Sequence, residues 1–149
     1  MTRAARQAMP AIRILLVDNN PQFLKTVRQL LADDEAFEIV GGTYSAAKGL
    51  ELVARLRPDV VVVDLTLPLM NGLEVTRRIK AGTPVPLVII VTLHDQEAYG
   101  RTAEAAGADG FVPKWEVGAR LPELIRRLMQ VKRDRFAAVH SASTDFVRE

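Results

Sequence analysis

The sequence contains no cysteine and only two histidines among its 149 residues. The absence of cysteine excludes a disulfide framework, a thiol nucleophile and a cysteine-based zinc site, and two histidines argue against a histidine-built metal site. No apolar run approaches the roughly 18 to 20 residues that a membrane span requires. The apolar run near the N-terminus is interrupted by Arg13 and ended by Asp18, which is typical of a strand rather than a secretory signal. These absences predict a soluble cytoplasmic protein, with no membrane partner, that folds as one domain.

Positive charge is concentrated at the two ends of the chain. Residues 1 to 13 carry three arginines and no acid, and residues 120 to 149 carry seven basic and four acidic residues. The central residues 14 to 119 hold 10 basic and 14 acidic residues, a net charge of −4. An acidic central domain argues against nucleic acid as its direct ligand and is compatible with a bound cation.

Four short apolar runs each end in a polar residue. Runs of this kind, rich in β-branched residues, are typical of strands buried on both faces of a sheet. Ligands of open α/β sheets bind beyond the carboxyl ends of the strands. If the four strands are parallel neighbours, two carboxylates, a hydroxyl and an ammonium converge there. The pairs are residues 12 to 17 with Asp18, 60 to 63 with Asp64, 87 to 91 with Thr92, and 110 to 113 with Lys114.

Apolar runs alternate with helical patterns five times along the chain. The predicted helix caps are Asn19 or Asn20 before Pro21, then Ser45, then Asp95. Two further strands are predicted at residues 37 to 40 and 109 to 112. Five βα units with short links predict an α/β fold with a doubly wound, five-stranded parallel sheet. We expect a flexible leader at 1–11, the domain at 12–131, and a basic, flexible tail or linker at 132–149 whose last ten residues are unstructured.

Four segments, ILLVDNNP, VVVDLTLPLMNG, VIIVT and GADGFVPK, occur in this order at the predicted strand ends. Together they resemble the receiver domains of two-component response regulators, the CheY-like family, over roughly residues 12 to 130. The resemblance implies a flavodoxin-like (βα)5 fold. It implies a signalling phosphoacceptor, not an enzyme, that is phosphorylated by a sensor histidine kinase or a phosphotransfer protein. Its output would be binding to a downstream protein or a second copy of itself, as a stand-alone receiver or one detached from an output domain.

The resemblance also assigns roles to individual residues. Asp64 would be the phosphoacceptor, since in-line transfer to a carboxylate needs mainly positioning and neutralised charge. Thr92 and Lys114 would be donors to the phosphoryl oxygens, and Thr92 with Phe111 would form a conformational switch. The ligands of Mg²⁺, which prefers oxygen, would be Asp18, Asn19, Asp64 and the backbone carbonyl of Thr66.

The departures from the family pattern define the alternatives. Asn19 stands where the family usually has a second acid, so we expect weakened Mg²⁺ binding, and a phosphorylation-independent, receiver-like adaptor is the alternative function. The bulk of Leu93 is expected to narrow access to Asp64, while Thr66 and His94 lie where the family tunes hydrolysis of the acyl phosphate. An enzyme that forms an aspartyl phosphate is disfavoured, because Thr66 rather than an acid lies two residues after Asp64. No GxGxxG or P-loop sequence supports nucleotide or flavin binding either.

Overall fold

The computed structural model describes the backbone of residues 10–93 and 96–148 and the side chains of residues 10–93 and 99–139. Most of the predicted leader, together with His94 and the predicted cap Asp95, lies outside these residues. No described helix is both long enough and apolar enough to cross a bilayer.

Five strands and five helices alternate along the described chain. The strands form one parallel sheet in the order β2-β1-β3-β4-β5, which confirms the predicted α/β architecture. A 3₁₀ turn, Lys114–Glu116, follows the last strand. In chain order the elements are β1 (Ile12–Val17), α1 (Pro21–Ala32), β2 (Phe37–Thr43), α2 (Ala46–Leu56), β3 (Val60–Asp64), α3 (Gly72–Lys80), β4 (Leu87–Thr92), α4 (Gln96–Ala105), β5 (Gly110–Pro113) and α5 (Val117–Arg148).

Helices cover both faces of the sheet, which explains the uninterrupted valine run of β3. Val60 and Val62 pack on the face covered by α1 and α5, whereas Val61 and Val63 pack on the face covered by α2, α3 and α4. All four valines are at most 2% exposed. Each fully buried valine contributes about 1.5–3 kcal/mol relative to an exposed one.

Side-chain caps begin the helices next to the carboxyl edge of the sheet. The side chain of Asn20 accepts hydrogen bonds from the backbone nitrogens of Gln22 and Phe23, at 3.0 and 3.2 Å. Ser45 caps α2 as predicted, by accepting from the backbone nitrogen of Lys48 at 3.1 Å. Because Asn20 rather than Asn19 is the cap of α1, Asn19 takes no part in starting that helix.

Strand β2 is longer than predicted. The expected strand ends at residue 40, but Gly41, Gly42 and Thr43 continue the pairing with β1 after a register shift between Ile14 and Leu15. Two consecutive glycines are a turn signal in a single sequence, and only the neighbouring strand draws them into the sheet. Strand β5 spans Gly110–Pro113, which confirms the run predicted to end before Lys114, whereas the alternative bounds of 109 to 112 are one residue early.

Helix α5 is also longer than predicted. The prediction that the last ten residues are unstructured is wrong, because the helix continues for 32 residues to Arg148. No glycine or proline follows Pro122, so nothing in the local sequence ends the helix. Lys132 and Arg133 tie its middle to the domain, by donating to the carbonyl oxygens of Val85 at 2.9 Å and Pro10 at 3.3 Å. The domain boundary at residue 131 stays a prediction.

Candidate functional site

Asp18 and Asp64 lie side by side at the carboxyl edge of the sheet. Their strands are neighbours, with Val17 paired to Val63, so the residues that follow come level with each other. Both aspartates are buried, at 1% and 5% exposure. Their adjacency follows directly from the parallel topology that the sequence predicts.

Lys114 connects the two aspartates. Its Nζ lies 2.8 Å from Oδ2 of Asp18 and 3.5 Å from Oδ2 of Asp64, and its side chain is only 9% exposed. The lysine opens the 3₁₀ turn after β5, two strands away from β3, and reaches back across the edge of the sheet. The structure therefore brings these three charged residues together at one edge of the sheet, as predicted.

Phe23 belongs to the same site, although the sequence pattern marks it only as an apolar residue of a helix. The Lys114 Nζ lies 4.4 Å from the centroid of the Phe23 ring, within the range of a cation–π contact. The helix cap Asn20 starts α1 so that its first turn carries Phe23 over the site. The available sequence signal is its position five residues after Asp18, but nothing in that spacing indicates contact with a lysine nearly a hundred positions away.

The site holds more negative than positive charge. Burial raises the pKa of Asp64, and the nearby Asp18 carboxylate raises it further, while Lys114 and the backbone N–H of Thr66 act in the opposite direction. That N–H donates to Oδ1 of Asp64 at 3.2 Å. With two carboxylates and one ammonium, the cluster has one negative charge without a partner, and a cation or an electrophile would relieve it.

One oxygen of Asp18 shows the same imbalance. Oδ1 accepts a hydrogen bond from the backbone nitrogen of Asn20 at 2.8 Å. Oδ2 is fully buried and close to the Lys114 ammonium, yet it has no hydrogen-bond partner of normal geometry. A buried carboxylate oxygen in this state is costly and is expected to be satisfied by a ligand.

These oxygens fit a hard divalent cation that retains water. The side chains of residues 10–93 and 99–139 include no group of three His, Cys, Asp or Glu residues that could hold a metal ion. A cation on Asp18 and Asp64 would thus need neutral oxygens and water to complete its shell, which is how Mg²⁺ is usually bound. Asn19 and Thr66 are both exposed at the rim of this site. Their roles as ligands stay predictions.

Thr92 and Phe111 are both buried on the β4–β5 side of the site. Thr92 is fully buried at the end of β4 and pairs in register with Pro113, directly before Lys114. Phe111 is 8% exposed and packs in the core layer beneath α2, α3 and α4. The structure therefore places Thr92 at the end of the strand next to Asp64 and Phe111 within the adjoining core layer, while their action as a switch stays a prediction.

Gly72 holds the loop after β3 close to Asp64. A Cβ at position 72 would lie 2.4 Å from the Asp64 carbonyl oxygen, closer than any side chain can come. The backbone nitrogen of Gly72 donates to the carbonyl oxygen of Leu65 at 2.8 Å, which closes the loop. Glycine is required here by the close backbone approach.

Comparison with protein families identifies the response regulator receiver domain over residues 14–126. Among curated proteins, the chain is 41% identical over 108 residues to a protein-glutamate methylesterase/protein-glutamine glutaminase of Nocardioides sp.. It is 32% identical over 120 residues to the response regulator GacA of Pseudomonas aeruginosa. The two alignments cover 71% and 80% of this chain but only 30% and 55% of those relatives, so the chain matches only part of their length.

Solved structures give the same result. A LuxR-family two-component response regulator from Aurantimonas sp. superposes with a TM-score of 0.76 at 32% identity, covering 80% of this chain and 86% of that one. A CheY-like receiver domain protein from Methanospirillum hungatei superposes with a TM-score of 0.75 at 25% identity, covering 84% and 98%. The family match spans most of the chain and includes every element that builds the charged site. The chain therefore belongs to the response regulator receiver domain family of two-component systems.

Proposed function

We propose that Asp64 accepts a phosphoryl group from a histidine kinase or phosphotransfer protein, and that the modified domain signals by changing what it binds. The observation that carries this proposal is the cluster of Asp18, Lys114 and Asp64 at the carboxyl edge of the sheet, in which two buried carboxylates share one ammonium. The chain acts in this proposal as a signalling phosphoacceptor of the cytoplasm and not as an enzyme.

The transfer forms a P–O bond to the Asp64 carboxylate and breaks the P–N bond of a phosphohistidine, whose imidazole leaves with the bonding electrons. Asp64 reacts in its ionised form, and the backbone N–H of Thr66 holds one of its oxygens in a fixed direction. Lys114 lies close enough to both aspartates to follow the negative charge from the carboxylate to the phosphoryl oxygens. Positioning and charge compensation are the main contributions that a protein makes to phosphoryl transfer.

A divalent cation completes the proposed site. Asp18, Asp64, the carbonyl oxygen of Thr66 and the side chain of Asn19 would hold it. Bound Mg²⁺ supplies neutralisation of the charge on the phosphoryl oxygens. The structural feature that supports the assignment is Oδ2 of Asp18, which is buried, has the shared Lys114 ammonium as its charged neighbour and has no hydrogen bond of normal geometry.

The signal would leave the site through Thr92 and Phe111. A phosphoryl group on Asp64 adds oxygens that accept hydrogen bonds, and the Thr92 hydroxyl at the end of the adjacent strand is the donor proposed to move toward them. Phe111, which packs one strand further on, would then change its rotamer and the surface of α4 and β5. Bistable packing of this kind converts a local charge change into a binding signal.

Intact mass spectrometry tests the acceptor directly. The full chain is incubated with acetyl phosphate and Mg²⁺ beside Asp64→Ala, and the parent alone is expected to gain one phosphoryl group. A gain by the variant would disprove the assignment of Asp64. A cognate kinase, once identified, should transfer phosphate to the same residue.

A phosphorylation-independent adaptor is the second candidate. It is favoured by Asn19, a neutral residue beside Asp18, and by the lack of a third acid near the site among the described side chains. If neither the parent nor Asn19→Asp gains mass at high Mg²⁺, the adaptor replaces the phosphoacceptor.

A further inference from the structure

A second polar site lies on the other side of α1, against the edge strand β2. It is an open groove of about 430 Å³ whose lining contains two cations and two hydroxyl groups but no carboxylate. The volume falls in the lower range of known ligand sites. The lining residues are Pro21, Leu24, Lys25, Arg28, Gly42, Thr43 and Tyr44.

The two cations of the groove, Lys25 and Arg28, are one helical turn apart on α1. Helix α1 contains no acidic residue, so neither cation has a partner at helical spacing. Among the side chains that the structure describes, neither forms an ion pair, whereas seven other basic residues do. Residues 14 to 119 carry a net charge of −4, so an uncompensated pair of cations there is a local exception.

The second glycine of β2 makes room for one of these cations. A Cβ at Gly42 would lie 2.5 Å from Nη2 of Arg28, so the guanidinium occupies the space that a side chain would fill. The guanidinium of Arg28 therefore lies over β2, on the face of the sheet that α1 covers. Its planar fork of N–H groups suits a carboxylate, with which it can form two parallel hydrogen bonds.

The groove borders the outer edge of the sheet. Strand β2 is the first strand in the sheet order, so its outer side faces no other strand among the described residues. The Tyr44 side chain, 56% exposed, adds an apolar surface at the end of the strand. A free strand edge beside two cations suits an extended chain segment that carries acidic side chains.

We propose that this groove, which we call the α1–β2 groove, binds an acidic segment of a protein partner in extended conformation. Carboxylates of the segment pair with Lys25 and Arg28, and its backbone lies along β2. Nucleic acid is disfavoured as the occupant because the surrounding domain carries a net negative charge that repels it. A free phosphate ion is disfavoured because Lys25 and Arg28 are exposed and the open groove does not enclose an ion.

The groove is connected to the phosphoacceptor site by the backbone. The backbone nitrogen of Asp18, at the phosphoacceptor site, donates to the carbonyl oxygen of Thr43, at the end of β2 in the groove, at 3.0 Å. Binding at the groove does not depend on phosphorylation of Asp64. It can be measured on the unmodified chain and stands or falls separately from the proposed acceptor function.

The test uses a short fluorescein-labelled peptide of alternating glutamate and alanine, with a glutamine-for-glutamate peptide as the uncharged control. Fluorescence anisotropy gives the affinity, and ¹H–¹⁵N NMR spectra of the full chain locate the site. We expect the acidic peptide alone to bind and to shift the amide signals of Arg28, Gly42, Thr43 and Tyr44. Absence of shifts at these residues would overturn the proposal.

Two matched double variants separate a defined groove from general charge attraction. Lys25→Gln with Arg28→Gln should weaken binding by about tenfold or more, whereas Arg55→Gln with Arg127→Gln removes the same charge elsewhere and should change it less than about twofold. Equal losses in both would overturn the proposal.

Gly42→Ala provides a variant that keeps every charge. Its methyl group displaces only the flexible end of Arg28, so the fold is expected to remain and binding to weaken. Unchanged affinity in Gly42→Ala, or sodium phosphate or a nucleotide causing the same shifts at lower concentration than the peptide, would contradict an acidic peptide as the occupant.

Discussion

Aspartates at the beginnings of the strands, the amino edge of the sheet, and at the ends of the strands, the carboxyl edge, differ in how their charge is compensated. At the amino edge, Asp34, Asp59 and Asp109 precede three strands, and each accepts a hydrogen bond from a backbone N–H, at 2.8 to 2.9 Å. Asp34 and Asp109 are also paired with a cation. At the carboxyl edge, Asp18 and Asp64 follow two strands and share the single ammonium of Lys114.

The difference lies in how fully neighbouring groups compensate each aspartate. Asp59 and Asp109 join the beginning of one strand to its neighbour, and Asp34 closes the turn before β2. Asp34 and Asp109 also have their charge compensated by a cation, so these carboxylates stabilise the sheet. The carboxyl-edge pair is more deeply buried and undercompensated, which costs stability and leaves a charge for a ligand to satisfy. The amino-edge aspartates therefore contribute to the stability of the sheet, whereas the carboxyl-edge pair leaves a negative charge that a ligand can neutralise.

The largest expected effect is on the reaction at the carboxyl edge. Asp18→Asn should slow phosphorylation of Asp64 by about a hundredfold or more, because it removes a charged ligand of the proposed cation. Asp59→Asn, at the amino edge, should leave the rate unchanged. Time courses of intact mass with acetyl phosphate and Mg²⁺ measure both, and equal rates in the two variants would remove the distinction between the edges.

The next effect is on stability at the amino edge. Asp109→Ala removes the acceptor for the backbone nitrogen of Val88 and the partner of Lys80, and should lower the free energy of unfolding by about 2 kcal/mol. Asp33→Ala, an exposed acid without an ion pair among the described side chains, should change it by less than about 0.5 kcal/mol. Urea unfolding measures both. A loss of phosphorylation rate in folded Asp109→Ala would contradict a purely structural role.

A smaller effect is expected where a charge is added at the carboxyl edge. Asn19→Asp should tighten Mg²⁺ binding on the order of tenfold, because it restores a second carboxylate next to Asp18. Gln22→Glu adds the same charge on the exposed first turn of α1 and serves as the control. Magnesium titration followed by Trp115 fluorescence or NMR measures the affinity, and no difference between parent and Asn19→Asp would show that Asn19 does not limit binding.

The charge imbalance at the site predicts that replacing Asp64 with asparagine stabilises the protein, by an amount that depends on pH. Because burial and Asp18 raise the pKa of Asp64 in the folded protein, the folded state holds a proton that the unfolded chain has already lost, and stability falls as pH rises through that window. Asp64→Asn removes this cost. Its Tm should exceed that of the parent by a few degrees at neutral pH without Mg²⁺, and the gain should vanish below the ordinary carboxyl pKa of 3.8. Thermal unfolding across pH measures it, and a gain independent of pH would contradict the cause given.

The smallest effect concerns the ring over the ammonium. Phe23→Leu keeps an apolar side chain but loses the cation–π contact with Lys114, and should cost about 0.5–1 kcal/mol of stability. Phe23→Tyr retains a ring and should cost less. Equal losses in the two variants would indicate packing rather than attraction between the ring and the charge.

Much of the site could be predicted because it depends on strand ends. Once the chain is organised as parallel βα units, Asp18, Asp64 and Lys114 must come to one edge, and the caps at Asn20 and Ser45 follow from local hydrogen bonding. Phe23 could not be predicted as part of the site, because its contact joins residues far apart in sequence. The extension of β2 was missed for a similar reason, since Gly41 and Gly42 have no strand preference of their own.

The order of the elements, the buried strands and the set of polar residues at their ends follow from the amino-acid sequence, because periodicity and capping are local properties. The sharing of charge depends instead on tertiary contacts. These contacts gave Asp109 both a backbone donor and Lys80, and left Oδ2 of Asp18 buried beside an ammonium that Asp64 also contacts. Burial and charge compensation depend on neighbours brought together from distant parts of the chain, so identical aspartates acquire different roles only when the sheet has formed.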